Sequence, residues 1–539
     1  MATVIVDGQE IEIGDGERLN GIQAAQRAGI KIPHYCWHPG LTVVASCRMC
    51  LVETGRLDPE TGEISMMPKL VPACQTPARD GTVFVTNSEK VANAHAMVEE
   101  DLLIRHPIDC PICDKAGECS LQDYHFEHGR DQRRADLKPF TSRRRTLGDT
   151  VTLFVDRCVM CTRCVRFSRE ISGSSELMVV NRGAHEEIDV FPGFPLDNKL
   201  SGNVVDLCPV GALGDRDFLY TQRVWFMKRH PNVCAGCSTG CSIRVEENQD
   251  HIYRLKPREN PHVNQWWMCD EGRYGWKHVN DSARNTLLQR RVDDGYEPVE
   301  WSALSNELAA KLQASRHIAA VLSPHLTCEE AYLLATYVRS VDPASLLVLG
   351  PVPTSGEDES FANGFTIHAE KCPNRRGVEE VIVGIAKELV TWHDLLGRLP
   401  DESLDAVWVT GGYKTDWNDE AISEQLASVP LLIVQDAVKS PLWDRASYQL
   451  PAATFAEREG SYVNHADRLQ SFGWAIRPPS GVMTEGQLYW RLLQKPGLYN
   501  SRAVLDDMSR ELLYFSAAAG VESEFGIDLK ANQLATAST

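Results

Sequence analysis

The chain has 539 residues, of which 43% are apolar and 24% charged, and a formal net charge of −19. That length exceeds what one hydrophobic core supports, so several domains are expected, and no apolar stretch approaches the roughly 20 residues a membrane-spanning helix needs. The acidic balance argues against a nucleic-acid partner, since phosphate binding requires a basic footprint.

The opening MATVIVDGQE shows no basic segment followed by an apolar core and a cleavage site, so no secretory signal is expected and the compartment is read as cytoplasmic. Residues 3–13, TVIVDGQEIEI, alternate apolar and polar about Asp7 and Gly8, which predicts a hairpin. In ERLNGIQAAQRAGI, Leu19, Ile22 and Ala25 share a helical face, with Gly29 as a left-handed stop. Hairpin, helix and cysteine-bearing loop together suggest a β-grasp ferredoxin-like domain over residues 1–85. Ser88 is placed to cap a helix on which Val91, His95, Val98 and Leu102 recur at helical spacing until Pro107 stops it.

This second region, 86–145, ends in the arginine-rich run RDQRRADLKPFTSRRR, which reads as a solvated linker or as a docking surface for an acidic partner. Residues 146–222 and 223–290 are dense in cysteine, glycine and proline, and metal is expected to do much of the stabilising there. Over 291–515 helical and strand patterns alternate, as in SALSNELAAKLQ, HIAAVLS, EEAYLLATYVRSV and SLLVLGPV. That alternation predicts an α/β domain with a mainly parallel sheet. Residues 516–539, rich in Ala, Ser and Thr, read as a flexible tail.

Seventeen cysteines in a reducing compartment point to metal ligation rather than disulfides. The first group, Cys36, Cys47, Cys50 and Cys74, has the spacing C-x10-C-x2-C-x23-C. Four soft, charged thiolates saturate a [2Fe-2S] unit, with zinc as the alternative for such a group in isolation. The second, HPIDCPICDKAGEC, sets His106, Cys110, Cys113 and Cys119 as H-x3-C-x2-C-x5-C. Three cysteines lacking a fourth partner favour His106 as a ligand over a plain helix-end residue, and a neutral imidazole makes a cluster less negative.

The third group, Cys158, Cys161, Cys164 and Cys208 followed by Pro209, offers three corners of a [4Fe-4S] cube and a remote Cys-Pro that closes it. The fourth, Cys234, Cys237, Cys241 and Cys269, is C-x2-C-x3-C-x27-C and supports another [4Fe-4S] cluster, with zinc as a minor reading. Fifteen thiolates and His106 make sixteen ligands, four for each of four clusters. Cys328 and Cys372 stand apart and read as small buried hydrophobes.

The order and spacing of these motifs, with CTRCVRF and SGNVVDLCPVGAL, resemble the large iron-sulfur subunit (G or 75 kDa type) of NADH:quinone oxidoreductase, respiratory complex I, over roughly residues 1–290. The resemblance implies one [2Fe-2S] and three [4Fe-4S] clusters, the fourth motif matching the additional cluster of some bacterial members, off the main path. It also implies electron transfer from an NADH-oxidising flavoprotein partner toward quinone. The setting would be the peripheral arm, among the other peripheral-arm subunits, on the cytoplasmic side of the inner membrane of a bacterium.

Residues 447–470, SYQLPAATFAEREGSYVNHADRLQ, are similar to molybdopterin-dependent formate dehydrogenases. Neither Cys328 nor Cys372 is followed by the histidine that accompanies the metal-ligating residue there, and the region is short, so a scaffold without molybdopterin is expected. The fold class is accordingly α+β multidomain: a β-grasp [2Fe-2S] domain, [4Fe-4S] ferredoxin-like domains, and a shortened α/β molybdopterin-oxidoreductase-like domain. No acid-base or nucleophilic residue is assigned, and no G-x-G-x-x-G loop suggests a dinucleotide site, which leaves NADH oxidation to the flavoprotein. The competing readings are the catalytic subunit of an NAD-dependent formate dehydrogenase, the electron-carrying subunit of an NAD-linked hydrogenase, and a zinc-stapled scaffold.

Overall fold

The computed structural model describes residues 2–530 except Ser142, Ala184, Asp294, Asp401, Glu402, Thr415 and Asp416. It divides into two compact units, one running to Met227 and including Phe361–Asn363, the other beginning at Lys228 and holding the rest.

In the first unit, strand Ala2–Val6 turns back as Gln9–Ile13 through Asp7 and Gly8, both at positive φ, 46° and 84°. A two-residue hairpin loop needs that backbone, and Asp-Gly supplies it at least cost. The sheet continues through Thr82–Val85, parallel to the first strand, then Leu51–Leu57 and Ile64–Met66, both antiparallel to their neighbours. Helix Gly21–Arg27, capped by a reciprocal Asn20 and Gln23 pair, buries Ile22, Ala24 and Ala25 against Val4, Val6 and Phe84. Gly29, at φ 72°, follows its end.

Helix Glu89–Leu103 begins at Ser88, whose hydroxyl accepts from the Val91 N–H. Its buried line is Val91, His95 and Glu99; Val98 and Leu102 are only half-buried, so the inward face is rotated from the expected one toward a carboxylate. The rest of this unit is built from short pieces: helices Ser120–His128, Arg163–Glu170 and Asn203–Leu207, and a three-stranded sheet of Leu213–Asp215, Val151–Phe154 and Arg144–Thr146. The arginine-rich run pairs with the chain's own acids: Arg134 with Glu100, Arg143 with Asp156 and Glu187, Arg145 with Glu187 and Asp189.

The second unit opens with the antiparallel strands Lys228–Val233, Ser242–Asn248 and His251–Pro257. Its main sheet has eight strands in the order Gly295–Pro298, Gln289–Val292, Tyr448–Pro451, Leu431–Asp436, Ala406–Thr410, Ile318–Leu322, Leu346–Leu349, Val390–Thr391. From Tyr448–Pro451 onward every pairing is parallel. Side chains alternate between two cores: Ile318, Ala320, Leu322, Ala406 and Trp408 face one, Ala319, Val321, Val407 and Val409 the other. This is why these strands read as unbroken apolar runs, since a parallel sheet is covered on both faces. Helices Trp301–Ala314, Cys328–Val341, Arg375–Ala386, Glu485–Leu492 and Ser501–Glu511 cover the first face, Trp392–Arg398 and Glu420–Leu426 the second.

Part of the stretch from Ser516, expected as a tail, packs onto the second unit. Phe515, Ala518 and Leu529 are fully buried, and Ile527–Asp528 pairs with the strand Arg468–Phe472, so the few apolar residues in an otherwise bland segment anchor it. Residues 531–539 of that expectation lie outside the described residues. No helix among the described residues is long and apolar enough to cross a membrane.

Candidate metal centres

The four cysteines of the first motif come from three loops of the N-terminal sheet. Cys36 follows helix Gly21–Arg27, Cys47 and Cys50 precede strand Leu51–Leu57, and Cys74 follows the short strand Val71–Pro72. Ala45 and Arg48 at positive φ, 53° and 59°, wind the middle loop about Cys47. The Cys36 thiol interacts with those of Cys47 and Cys74, and the Cys50 thiol with that of Cys74. That sharing pulls the Cys36 and Cys50 thiols below their ordinary range and pushes Cys47 and Cys74 above it. The Cys36 N–H also points at the Cys47 sulfur, 3.5 Å away. Cys36, Cys50 and Cys74 are each 1% exposed.

At the second motif Cys110 is exposed, Cys113 buried and Cys119 half-buried at the start of helix Ser120–His128. Burial pushes the Cys119 thiol up to about 11. Gly211 faces Cys113: a Cβ built there would lie 2.2 Å from its sulfur. His106 makes no hydrogen bond to a thiol among the described residues; what it shares with Cys113 is the Arg157 guanidinium, which acts electrostatically on both. Arg157 is itself held by Asp109 at 2.9 Å and lies over the Phe154 ring. Burial, then Arg157, lower His106 to about 4, which keeps the imidazole neutral as a metal ligand must be.

The third motif wraps tightly. Met160 and Thr162 take positive φ, 49° and 57°, and the Met160 N–H points at the Cys158 sulfur, 3.4 Å away. Cys164 lies on the first turn of helix Arg163–Glu170, and Cys208 ends helix Asn203–Leu207. Each of Cys158 and Cys164 feels the charge of the other sulfurs of the set, and burial pushes both thiols up, with Cys161 at about 11. The Cys208 loop also serves the second motif, since Pro209 accepts from the Ser120 N–H at 2.8 Å and Gly211 faces Cys113.

The fourth motif occupies the connection between strands Lys228–Val233 and Ser242–Asn248, with Cys269 capping helix Asp270–Tyr274. All four sulfurs are buried, at 4–7% exposure. The Gly236 N–H approaches the Cys234 sulfur at 3.4 Å, and the Gly272 N–H the Cys269 sulfur at 3.3 Å. A Cβ on Gly272 would stand 3.0 Å from the Cys234 sulfur. The loop is clamped from far along the chain: Gln470 Nε2 donates to the Gly240 carbonyl at 2.7 Å, Asn464 Nδ2 to that of Thr239 at 3.2 Å, and the His465 N–H to that of Ser238 at 3.0 Å.

Four family models match successive stretches. They are a 2Fe-2S iron-sulfur cluster binding domain over residues 1–89, the NADH-ubiquinone oxidoreductase-G iron-sulfur binding region over 96–134, the ferredoxin-like domain of NADH-quinone oxidoreductase subunit 3 over 148–214, and a molybdopterin oxidoreductase Fe4S4 domain over 227–281. The NADH-quinone oxidoreductase G subunit of Rickettsia felis is 32% identical over 343 residues, 63% of this chain and 49% of that protein. Its counterpart in Streptomyces coelicolor is 34% identical over 344 residues, covering 63% and 39%. Over these stretches the chain is similar to the NADH-quinone oxidoreductase G subunits of both organisms.

The NADH-ubiquinone oxidoreductase 75 kDa subunit of Reclinomonas americana is 32% identical to this chain over 356 residues, 66% of this chain and 50% of that protein. The chain thus spans about half the length, or less, of these relatives. Among solved structures, a chain of an NAD+-reducing [NiFe]-hydrogenase in its H2-reduced state aligns at TM-score 0.32 and 27% identity, covering 41% of this chain and 91% of that one.

Each cysteine set of the chain falls inside one matched domain, so 2Fe-2S and 4Fe-4S domains are present. Among the described residues no three His, Cys, Asp or Glu side chains close on a point as they would around a single ion. Cys328 and Cys372 are fully buried, the first with its sulfur 3.4 Å from Asn374 Oδ1. The sequence reading missed the clamp residues Asn464, His465 and Gln470, and it missed Arg157. Three of these lie inside VNHADRLQ, where the signal present was polar side chains in an otherwise core-forming strand pair.

Proposed function

We propose that this chain is the iron-sulfur electron carrier of an NADH:quinone oxidoreductase, taking electrons from an NADH-oxidising flavoprotein and passing them toward quinone. What supports this most directly is the third cysteine set, four thiols gathered by one tight loop and one Cys-Pro, of which Cys158, Cys161 and Cys164 sit where desolvation makes them resist deprotonation unless a cation compensates. In this reading Cys36, Cys47, Cys50 and Cys74 hold a [2Fe-2S] cluster. Three [4Fe-4S] clusters are held by His106, Cys110, Cys113 and Cys119, by Cys158, Cys161, Cys164 and Cys208, and by Cys234, Cys237, Cys241 and Cys269. Bound clusters supply one-electron redox chemistry at potentials set by charge, burial and hydrogen bonds to sulfur.

The chain's own residues supply those settings. N–H groups aimed at Cys47, Cys158, Cys234 and Cys269 stabilise negative charge on sulfur. Gly211 and Gly272 leave room against Cys113 and Cys234 that any side chain would fill. The N-terminal sheet, with its helix across one face and its thiols on the connecting loops, supports the β-grasp reading.

The main sheet serves as scaffold in this reading. The charged residues of the formate-dehydrogenase-like stretch are engaged internally, Glu457 with Arg284, and Arg458 with Glu330 at 2.9 Å and Glu485 at 2.8 Å. They do not fit a pterin cofactor that would need those groups. The partners are then the flavoprotein and the other peripheral-arm subunits, on the cytoplasmic side of a bacterial inner membrane. Anaerobic iron, sulfide, molybdenum, tungsten and zinc analysis, with EPR of the dithionite-reduced protein, tests the proposal. About fourteen iron atoms without molybdenum or tungsten are expected; stoichiometric molybdenum or tungsten, or zinc in place of iron, would overturn it.

A further inference from the structure

Helix Arg163–Glu170 carries Cys164 of the third set, and two of its arginines reach the loop that carries Cys36 of the first. Arg163 donates to the Trp37 carbonyl at 2.5 Å and the Leu207 carbonyl at 3.3 Å. Arg166 donates through Nη1 to the Thr42 carbonyl at 2.5 Å. Its Nη2 donates to the Cys36 carbonyl and also, at 3.2 Å, to the Cys161 carbonyl. One nitrogen atom therefore joins a residue of the first set to a residue of the third. Glu170, on the same helix, takes the Thr42 N–H and hydroxyl at 2.9 and 2.6 Å, so loop 36–42 is held along its length.

Arg166 is 3% exposed, and the hydrogen bonds of the two guanidiniums all go to carbonyl oxygens among the described residues. The Nε–H of each is buried without a partner among the described residues. Carbonyl dipoles do not neutralise a buried cation, and one without a counter-charge is costly. Glu170, one turn along the helix, supplies part of the counter-charge to Arg166, and the sulfurs of Cys36 and Cys161 on either side supply the rest.

We infer that Arg166, with Arg163 beside it, is the bridge that couples the first and third cysteine sets, joining a residue of each through one guanidinium nitrogen and raising the reduction potential of both. This rests on the electron-carrier reading above. In the step it serves, one electron leaves one cluster, which is oxidised by one unit, and enters the other, which is reduced by one unit. No bond is made or broken and the guanidinium keeps its proton. The electron comes from the NADH-oxidising partner, or from dithionite in the test. Arg166 is a positioning residue, since it reaches the cysteines only through their backbone.

The test is EPR-monitored redox titration of the full-length reconstituted chain and its Arg166→Met and Arg166→Lys variants, each signal assigned by the loss that Cys47→Ala or Cys208→Ala causes. In Arg166→Met, with iron and sulfide retained, the one-electron reduction equilibrium of both clusters should fall about tenfold, which is about 59 mV each. Arg166→Lys should restore most of it, because the charge returns without the fork. Unchanged potentials at full iron content, or a shift at one cluster alone, would overturn the bridge. Where Arg166→Met loses iron, Arg163→Met is judged by the same two potentials, both expected to fall. A wild-type chain without iron would instead defeat the electron-carrier reading, leaving the two failures distinguishable.

Discussion

The Arg284 guanidinium grips the Glu457 carboxylate through two hydrogen bonds, at 2.6 and 2.8 Å, with both side chains buried. The residues are 173 apart in sequence. Removing one partner strands the other's charge in the interior, a loss on the order of 3–5 kcal/mol, whereas replacing both by apolar groups is far milder. Arg284→Met should therefore lower the unfolding midpoint sharply, and Arg284→Met with Glu457→Met should recover most of it. A single variant as stable as the parent in anaerobic thermal unfolding would show that the pair is dispensable.

Gly211→Ala is expected to disturb the second cysteine set first. The added methyl would meet the Cys113 sulfur at 2.2 Å, closer than any contact allows, so either the Cys208 loop or the Cys113 loop must move. Iron analysis should show a loss of about four atoms per chain, one [4Fe-4S] complement. Full iron with an unaltered EPR spectrum would place the loops farther apart than described.

Replacing His106 by Cys exchanges a neutral donor for an anionic one. The cluster should be retained at a lower potential, because added negative charge disfavours reduction. An unchanged potential in redox titration would count against His106 as a ligand.

Glu99 provides a pH dependence. It is buried, with one carboxylate oxygen bonded by the Tyr35 hydroxyl and the other without a partner among the described residues. Burial raises it to about 7 from an ordinary 4.5. Between those values the folded chain holds a proton that the unfolded chain has released, so this contribution is fully present below 4.5 and is lost as pH rises through 7. The full loss is about 3 kcal/mol. Glu99→Gln keeps a neutral group throughout, so the stability difference between variant and parent should widen in the variant's favour from about pH 4.5 to about pH 8. A difference flat across that range, in unfolding midpoints at matched scan rate, would mean that Glu99 ionises normally.

Local chemistry was legible in the sequence wherever one short segment decided the outcome. Asp7-Gly8 fixes its hairpin because the two residues tolerate positive φ, and Ser88 caps its helix because the hydroxyl needs only the N–H three residues on. The apolar run at 318–322 announced a strand of a mainly parallel sheet, but not its place in the order, since parallel neighbours are joined by crossovers that leave no local trace. Glu99 was hidden for a different reason: a carboxylate on an amphipathic helix ordinarily marks the wet side. The grips of Arg163 and Arg166 on loop 36–42 were unreadable because charged residues three apart look like any solvated helix face. The anchoring of the last segment was unreadable because Ala518 and Leu529 are too sparse to form a pattern.

Gln470 lies 230 residues beyond the glycine whose carbonyl it holds. At roughly 5–20 residues per second on the ribosome, that separation amounts to a wait of roughly 10–50 s. Throughout it the nascent chain presents Cys234, Cys237 and Cys241 on a loop whose fastening has not yet been made. If the electron-carrier reading holds, whatever delivers iron and sulfide to this loop has a window of tens of seconds in which it is open, and so does any oxidant that reaches the thiols first.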